Sequence, residues 1–255
     1  MKILGVDSST KTANVSITCD DKLITKKIDN EVTHSEKLLP LIDNCLKELN
    51  ININDIDIFA CTIGPGSFTG IRIGIATLKA FAKVNNTDIF AISTLDVLAY
   101  SKISDNSNYL VSLIDAKNDR TYYRIYKVDF LRYYLKTLPI LVPLCDCNNL
   151  LISDALENIE SILALENTNN DTGFNVTFAC DNMNFEENII DKFGIQFGIY
   201  DIDIVESSIS TETLIEMYNN YSKLGYDKDY LETYLSLDAI YARPSQAERT
   251  KNGEK

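Results

Sequence analysis

Histidine occurs once in the 255 residues, at position 34, and that scarcity removes several kinds of chemistry. A serine or cysteine nucleophile activated by imidazole would have to work through His34, which lies beside a helix start with no nucleophile motif near it. Zinc sites are equally short of ligands. Cys145 and Cys147 form a CxC, but no second cysteine pair stands at zinc-finger spacing. The six cysteines, at 19, 45, 61, 145, 147 and 180, are scattered rather than framed, which fits a reduced compartment. Hydrophobic residues make up 45% of the chain, yet no apolar run approaches the roughly 18 residues that a membrane span needs. MKILGVDSS enters a strand directly, without the cationic region, apolar core and cleavage site of a signal peptide, so the expectation is a soluble, cytoplasmic protein.

Positive charge is also short. The net charge is −13, and residues 106–255 hold 13 basic against 24 acidic side chains while residues 1–105 hold 11 and 13. Phosphate backbones attract clustered Lys and Arg, so a chain this acidic is not expected to hold RNA by itself, and any RNA would be held through a partner. The cationic stretch from Arg243 to Lys255, with four basic and two acidic residues, reads as a solvated tail or a contact for RNA or a partner.

What is present is a glycine turn. The run from Gly64 to Gly74, GPGSFTGIRIG, is entered by the β-rich IDIFACTI and left by a helical pattern. Glycine permits positive φ and close approach, Pro65 fixes φ, and the helix start carries unpaired amides, a combination that invites an anion or another stretch of backbone. No GK[ST] follows it and it is not a GxGxxG turn opening the first βαβ unit. GPGSFTG is not a GxSxG nucleophile elbow either. Local features alone favour a tight strand-to-helix connection.

Three strands are expected near Lys2 to Val6, Ala13 to Thr18 and Leu23 to Ile28, with the CDDK turn joining the last two. A helix from Ser35 to Leu49 follows, opened by a Thr33/Glu36 capping box and bent at Pro40. A second helix, Ile71 to Val84, is apolar nearly all round, so it is either a core helix or one shared with a partner. The polar SDNSN suggests a boundary near Asp105, giving domains 1–104 and 105–255. Beyond it YLVSLID, the AKND turn and RTYYRIYKV read as a hairpin, VTFACD as a strand, and Glu186 to Phe193 and Thr211 to Lys223 as helices, with NTNNDTGFN an exposed loop. No internal repeat or extended low-complexity segment is evident.

The segments MKILGVDSST, THSEKLLPLIDNCL, CTIGPGSFTGIRIG, AISTLDVLA, SLIDAKNDRTYY and AIYARPSQAE stand in an order that resembles the TsaB (YeaZ) family of tRNA threonylcarbamoyladenosine biosynthesis subunits. The resemblance is dense from Met1 to about Tyr123 and returns near Tyr241 to Glu248. It implies the actin-like ATPase (ribonuclease-H-like) superfold, with two tandem α/β domains of which the second is degenerate. It also implies a non-catalytic subunit that stabilises TsaD, the catalytic transferase, in a complex acting on adenosine 37 of tRNA, with TsaE completing the assembly and TsaC supplying threonylcarbamoyl-adenylate. The two helices would pair with equivalent helices of TsaD, or with a second copy of this chain when TsaD is absent. His34, Leu38, Leu39, Ile42 and Leu46 from the first and Ile73 and Ala80 from the second are the expected contacts.

In this superfold the first strand ends in a carboxylate that orients magnesium and phosphate. Here Asp7, Ser8, Ser9 and Thr10 stand there, with Gly64, Gly66, Ser67, Thr69, Gly70 and Arg72 as the facing loop. The set could take a nucleotide or other anion, with ATP or ADP and magnesium at the shared interface, although side chains where a glycine belongs crowd a phosphate. Equally, Ser8 to Thr10 could be plain turn residues and Asp7 a turn carboxylate. TsaD carries an HxxxH metal site where this chain has Thr94 and Leu98, so neither a metal nor the metallopeptidase label attached to the family is expected. The rival function is a small-molecule kinase or ATPase of the same superfold.

Overall fold

The computed structural model describes residues 1–29, 34–134, 136–167, 174–194 and 200–242. The elements of its first part are β1 (Ile3–Asp7), β2 (Ala13–Cys19), β3 (Lys22–Ile28), α1 (His34–Leu49), β4 (Ile58–Thr62), α2 (Phe68–Asn85), β5 (Ile89–Ile92) and α3 (Thr94–Tyr100). There follow β6 (Tyr109–Asp115), β7 (Arg120–Tyr133), β8 (Lys136–Pro143), β9 (Asn148–Leu151), α4 (Ile152–Asn167), β10 (Phe174–Cys180), α5 (Glu186–Phe193), β11 (Tyr200–Glu206), α6 (Thr211–Leu224) and β12 (Leu231–Glu232).

The first sheet has the order β12-β5-β4-β1-β2-β3. β1, β2 and β3 form an antiparallel meander, turning at Asp20 with φ 54° as the CDDK sequence predicts. β4 and β5 then pair in parallel on the other side of β1, and α1 and α2 make the two crossovers. Successive residues of a strand face opposite sides, so Leu4 and Val6 meet the core shared with α1 and α2 while Gly5 faces α6. An added Cβ on Gly5 would lie 3.3 Å from Ile215 Cγ1 and from the Thr211 carbonyl. The opposite face of α6 is tied to the meander through the Ser16 and Thr211 hydroxyls, 2.6 Å apart.

The second sheet runs β11-β10-β6-β7-β8, with β9 pairing β7. β6, β7 and β8 are antiparallel while β10 pairs in parallel with both β6 and β11, so the strand order and directions of the first sheet recur. This is the actin-like superfold expected from the sequence, duplicated. The second copy departs from the first in the added β9 and in a 14-residue β7, which extends the hairpin well past RTYYRIYKV. Its core gathers Val111, Tyr123, Ile125, Ile159, Leu163, Val176 and Phe178.

The chain divides into Met1–Thr94 together with everything from Ser210 onward, and Leu95–Ile209. The sequence expectation of one break near Asp105, with 105–255 as a single domain, is corrected on both counts. α6 carries Leu214, Ile215, Met217 and Tyr218 as buried residues, and this apolar face lies on the first sheet, drawing the chain after Ser210 back to it.

α1 runs through Pro40 to Leu49, and α2 begins at Phe68, three residues earlier than the apolar pattern suggested, because Ser67 caps it by accepting from Gly70 N. Thr33 of the expected capping box, residues 168–173 of the NTNNDTGFN loop and the tail 243–255 lie outside the described residues. Among the described residues no helix is long and apolar enough to cross a membrane.

Candidate functional site

β1 and β4 are parallel neighbours, so Asp7 and Thr62 emerge together at the carboxyl edge of the first sheet, where open α/β sheets commonly take their ligands. The structure brings together Asp7, Ser8, Ser9, Gly64, Gly66, Ser67 and Gly70, as the sequence expects, but what fills the loop is the chain itself. Ser67 N donates to Ser9 O at 2.6 Å, and Ser8 Oγ donates to Gly70 O at 2.8 Å. A Cβ on Gly66 would fall well inside 3.0 Å of Ser9 O, and one on Gly70 well inside 3.0 Å of Ser8 O. On Gly74 it would stand 2.5 Å from Ser8 Oγ, and on Gly64, whose φ is +106°, 2.6 Å from Ile240 O. Each glycine is therefore needed because another strand of the same chain passes there.

Asp7 is fully buried, with Ser8 and Ser9 at 3% and 1% exposure above it. Its Oδ1 accepts from Ser9 Oγ at 2.6 Å, Ser9 N at 3.2 Å and Thr62 Oγ1 at 2.5 Å, whereas Oδ2 has no hydrogen-bond partner. Burial raises its pKa above the ordinary carboxylate value, outweighing the hydrogen bonds from Ser9 and Thr62. A magnesium ion or phosphate would have to displace Ser8 and Ser9 to reach it. The residues present do not fit a nucleotide here, and the reading of Asp7 as a carboxylate held by local turn amides describes them better.

The remaining loop residues are also engaged or turned away. Thr10 donates to Thr12 O and accepts from Thr12 N, a local turn, and Thr69 is exposed on the first turn of α2. Arg72 lies 3.8 Å above the Phe68 ring and donates from Nε to Tyr241 Oη at 2.9 Å, so its guanidinium is held by two aromatics rather than offered to an anion. Thr62, Ile240 and Tyr241 were not singled out as site residues. Ile240 N bonds Ile63 O at 2.7 Å, and this docking gives a physical reason for the late AIYA segment to match the family pattern.

The expected partner contacts divide. Leu38, Ile42 and Leu46 are 1%, 1% and 9% exposed and belong to the core under the first sheet, with Cys45 beside them, so they are corrected from interface to core. A helix pattern shows that one face is apolar and does not say what covers it. Leu39, 52% exposed, points outward, and Ala80 is exposed while Ile73 is partly buried against the core. His34 opens α1, and its side chain lies outside the described residues. On α2 the outward stripe runs Ile73, Ala76, Ala80 and Val84, the last 77% exposed, at spacings that keep one helical face.

Thr94 and Leu98, at the positions of the transferase's metal ligands, are fully buried. Among the described residues no group of three or more His, Cys, Asp or Glu is placed to hold a metal. All six cysteines are free. Burial pushes the Cys61, Cys147 and Cys180 thiols up to about 12, far from the depressed values of nucleophilic thiols.

A family profile described as "TsaD: tRNA N6-adenosine threonylcarbamoyltransferase" matches residues 29–169, more than half of the chain. Two curated relatives carry the name "tRNA threonylcarbamoyladenosine biosynthesis protein TsaB". That of Haemophilus influenzae is 29% identical over 48% of this chain and 52% of its own length, and that of Escherichia coli is 28% identical over 51% and 56%. The chain thus spans about half the length of the curated relatives it matches. The solved structure "YeaZ from Pseudomonas aeruginosa" superposes with a TM-score of 0.67 over 94% of this chain and 99% of that one, at 17% identity, a likeness of fold. On the family profile together with these relatives, the chain belongs to the threonylcarbamoyltransferase family, in its TsaB (YeaZ) branch.

Proposed function

We propose that this chain is a non-catalytic subunit of the cytoplasmic complex that forms N6-threonylcarbamoyladenosine in tRNA, and that it binds and stabilises the TsaD-type transferase. The observation that carries the proposal is the closed glycine loop. The frame of an actin-like ATPase is kept, but the main chain of Ser8 and Ser9 occupies the place where phosphate would approach Gly66 and Gly70. The rival reading, a kinase or ATPase, needs that access. No nucleotide step is assigned to Asp7. ATP or ADP and magnesium belong to the assembled complex, at the interface with the transferase and TsaE, and tRNA is engaged through the complex.

The docking surface is the outward stripe of α2, Ile73, Ala76, Ala80 and Val84, with Leu39 of α1 beside it. Alanines at 76 and 80 let a second helix approach closely, and Leu39 and Val84 supply apolar area to bury. In the absence of the transferase the same stripe serves a homodimer. Size-exclusion chromatography with light scattering, on the chain alone and mixed with the TsaD of the same cell, tests this. A one-to-one species with the wild type, lost with Ala80→Glu at unchanged melting temperature, is expected. Equal association of wild type and Ala80→Glu would remove α2 from the interface. ATP turnover by the purified chain without association would restore the kinase reading.

A further inference from the structure

The hairpin of β7 and β8 carries charge of the sign the rest of the molecule lacks. Residues 120–145 hold five basic side chains and one acidic, leaving 8 and 23 elsewhere in residues 106–255. Arg120 and Arg124 are occupied, the first by Asn149 and the second by Asp96 and the Cys145 carbonyl. Lys127, Arg132 and Lys136 are exposed and make no ion pair among the described residues.

Aromatic rings stand among these charges. Phe130 and Arg132 share one strand face, since Phe130 pairs with Pro139 and Arg132 with Thr137, and Tyr133 pairs with Lys136 on the other. Tyr134, 81% exposed, meets the Tyr133 ring edge-on at 4.7 Å between centroids. Tyr134 also has φ 51°, a left-handed turn position that Asn or Gly fills at less strain. An aromatic kept there, in the open, is better suited to a flat partner than to the hairpin's own stability.

The geometry points to this hairpin tip as a contact for single-stranded RNA, with Arg132 and Lys136 on phosphates and Tyr134 and Phe130 stacking unpaired bases. Such bases are what a loop of the complex's RNA substrate presents, so the choice of RNA rests on the function proposed above. Sequence-tolerant binding of this kind combines a cationic track with aromatic platforms. The acidic remainder of the chain repels RNA and confines the contact to the tip.

Fluorescence anisotropy with a labelled RNA stem-loop, on the chain alone and on its mixture with TsaD, tests the assignment between about 50 and 200 mM salt. Arg132→Ser with Lys136→Ser should lower the slope of log affinity against log salt by about two. Tyr134→Ser should weaken binding at least about fivefold at every salt concentration. All three positions are exposed, so melting should not change. No RNA binding by chain or mixture, binding indifferent to these variants, or capture by anionic vesicles instead of RNA would each overturn the assignment. Failure to associate with TsaD, read separately by light scattering, would refute the scaffold proposal and leave the anisotropy of the chain alone to decide the hairpin.

Discussion

Gly70→Ala should destabilise this protein, although alanine in a helix ordinarily gains up to about 1 kcal/mol over glycine. The new Cβ would be driven into the Ser8 carbonyl, so the Ser8–Ser9 turn must retreat by at least about 1 Å to reach even a tight contact. That retreat strains a packed site, at about 1–3 kcal/mol. It also stretches two hydrogen bonds, Ser67 N to Ser9 O and Ser8 Oγ to Gly70 O, each worth about 1 kcal/mol. The net is about 3–4 kcal/mol, or roughly 10 °C in melting temperature for a protein of this size. Thermal unfolding followed by circular dichroism reads it. Gly74→Ala supplies the control, since its Cβ meets a side-chain oxygen, Ser8 Oγ, at 2.5 Å. Adding Ser8→Ala should therefore recover much of the loss in Gly74→Ala and little in Gly70→Ala, where the obstacle is main chain. A Gly70→Ala protein melting at or above the wild type would refute the view that the chain's own backbone fills this loop.

Two other outcomes follow from burial. Ile42→Asp places a carboxylate in the core formed with Leu38 and Cys45, so it should unfold or strongly destabilise the chain, by at least about 3 kcal/mol, and a soluble variant with unchanged melting would contradict the core placement. Asp181, raised to about 6 chiefly by burial, is better tolerated neutral than ionised in the fold. Its contribution is full below the unfolded value of about 4 and is lost as pH rises through about 6, an effect of about 2–3 kcal/mol. Asp181→Asn keeps the acceptor for Asp115 N and Asn182 Nδ2, so it should raise stability at pH 7 and flatten the dependence between about pH 4 and 6. Equal pH profiles for the two proteins would remove Asp181 as the cause.

The first sheet was legible because each signal in it was local: alternating β1 and β2, the CDDK turn, and apolar runs at helical spacing in α1 and α2. The glycine loop was legible as a place of close approach, though the identity of the visitor was not, since Ser8 and Ser9 lie about 60 residues away in the chain and Ile240 about 175. Long-range pairing leaves no local trace in either partner. The same limit sent Leu38, Ile42 and Leu46 outward on paper when they face inward. α4 was readable and missed. Ala155, Leu156, Ile159 and Leu163 recur at helical spacing after an acidic first turn, and all four are buried. β9 and β12 are too short to announce themselves, and α6 gave its helix but not the sheet it covers.

Reconstitution of tRNA threonylcarbamoylation from purified TsaD, TsaE and TsaC, with and without this chain, tests the central claim most directly. Nucleosides released from the tRNA are measured by mass spectrometry. The account predicts modified adenosine only when the chain is present, at full yield with a variant of the buried Asp7 that still folds, such as Asp7→Asn, and lost with Ala80→Glu. Full modification without the chain, or loss of activity in a stably folded Asp7→Asn that still binds TsaD, would contradict it.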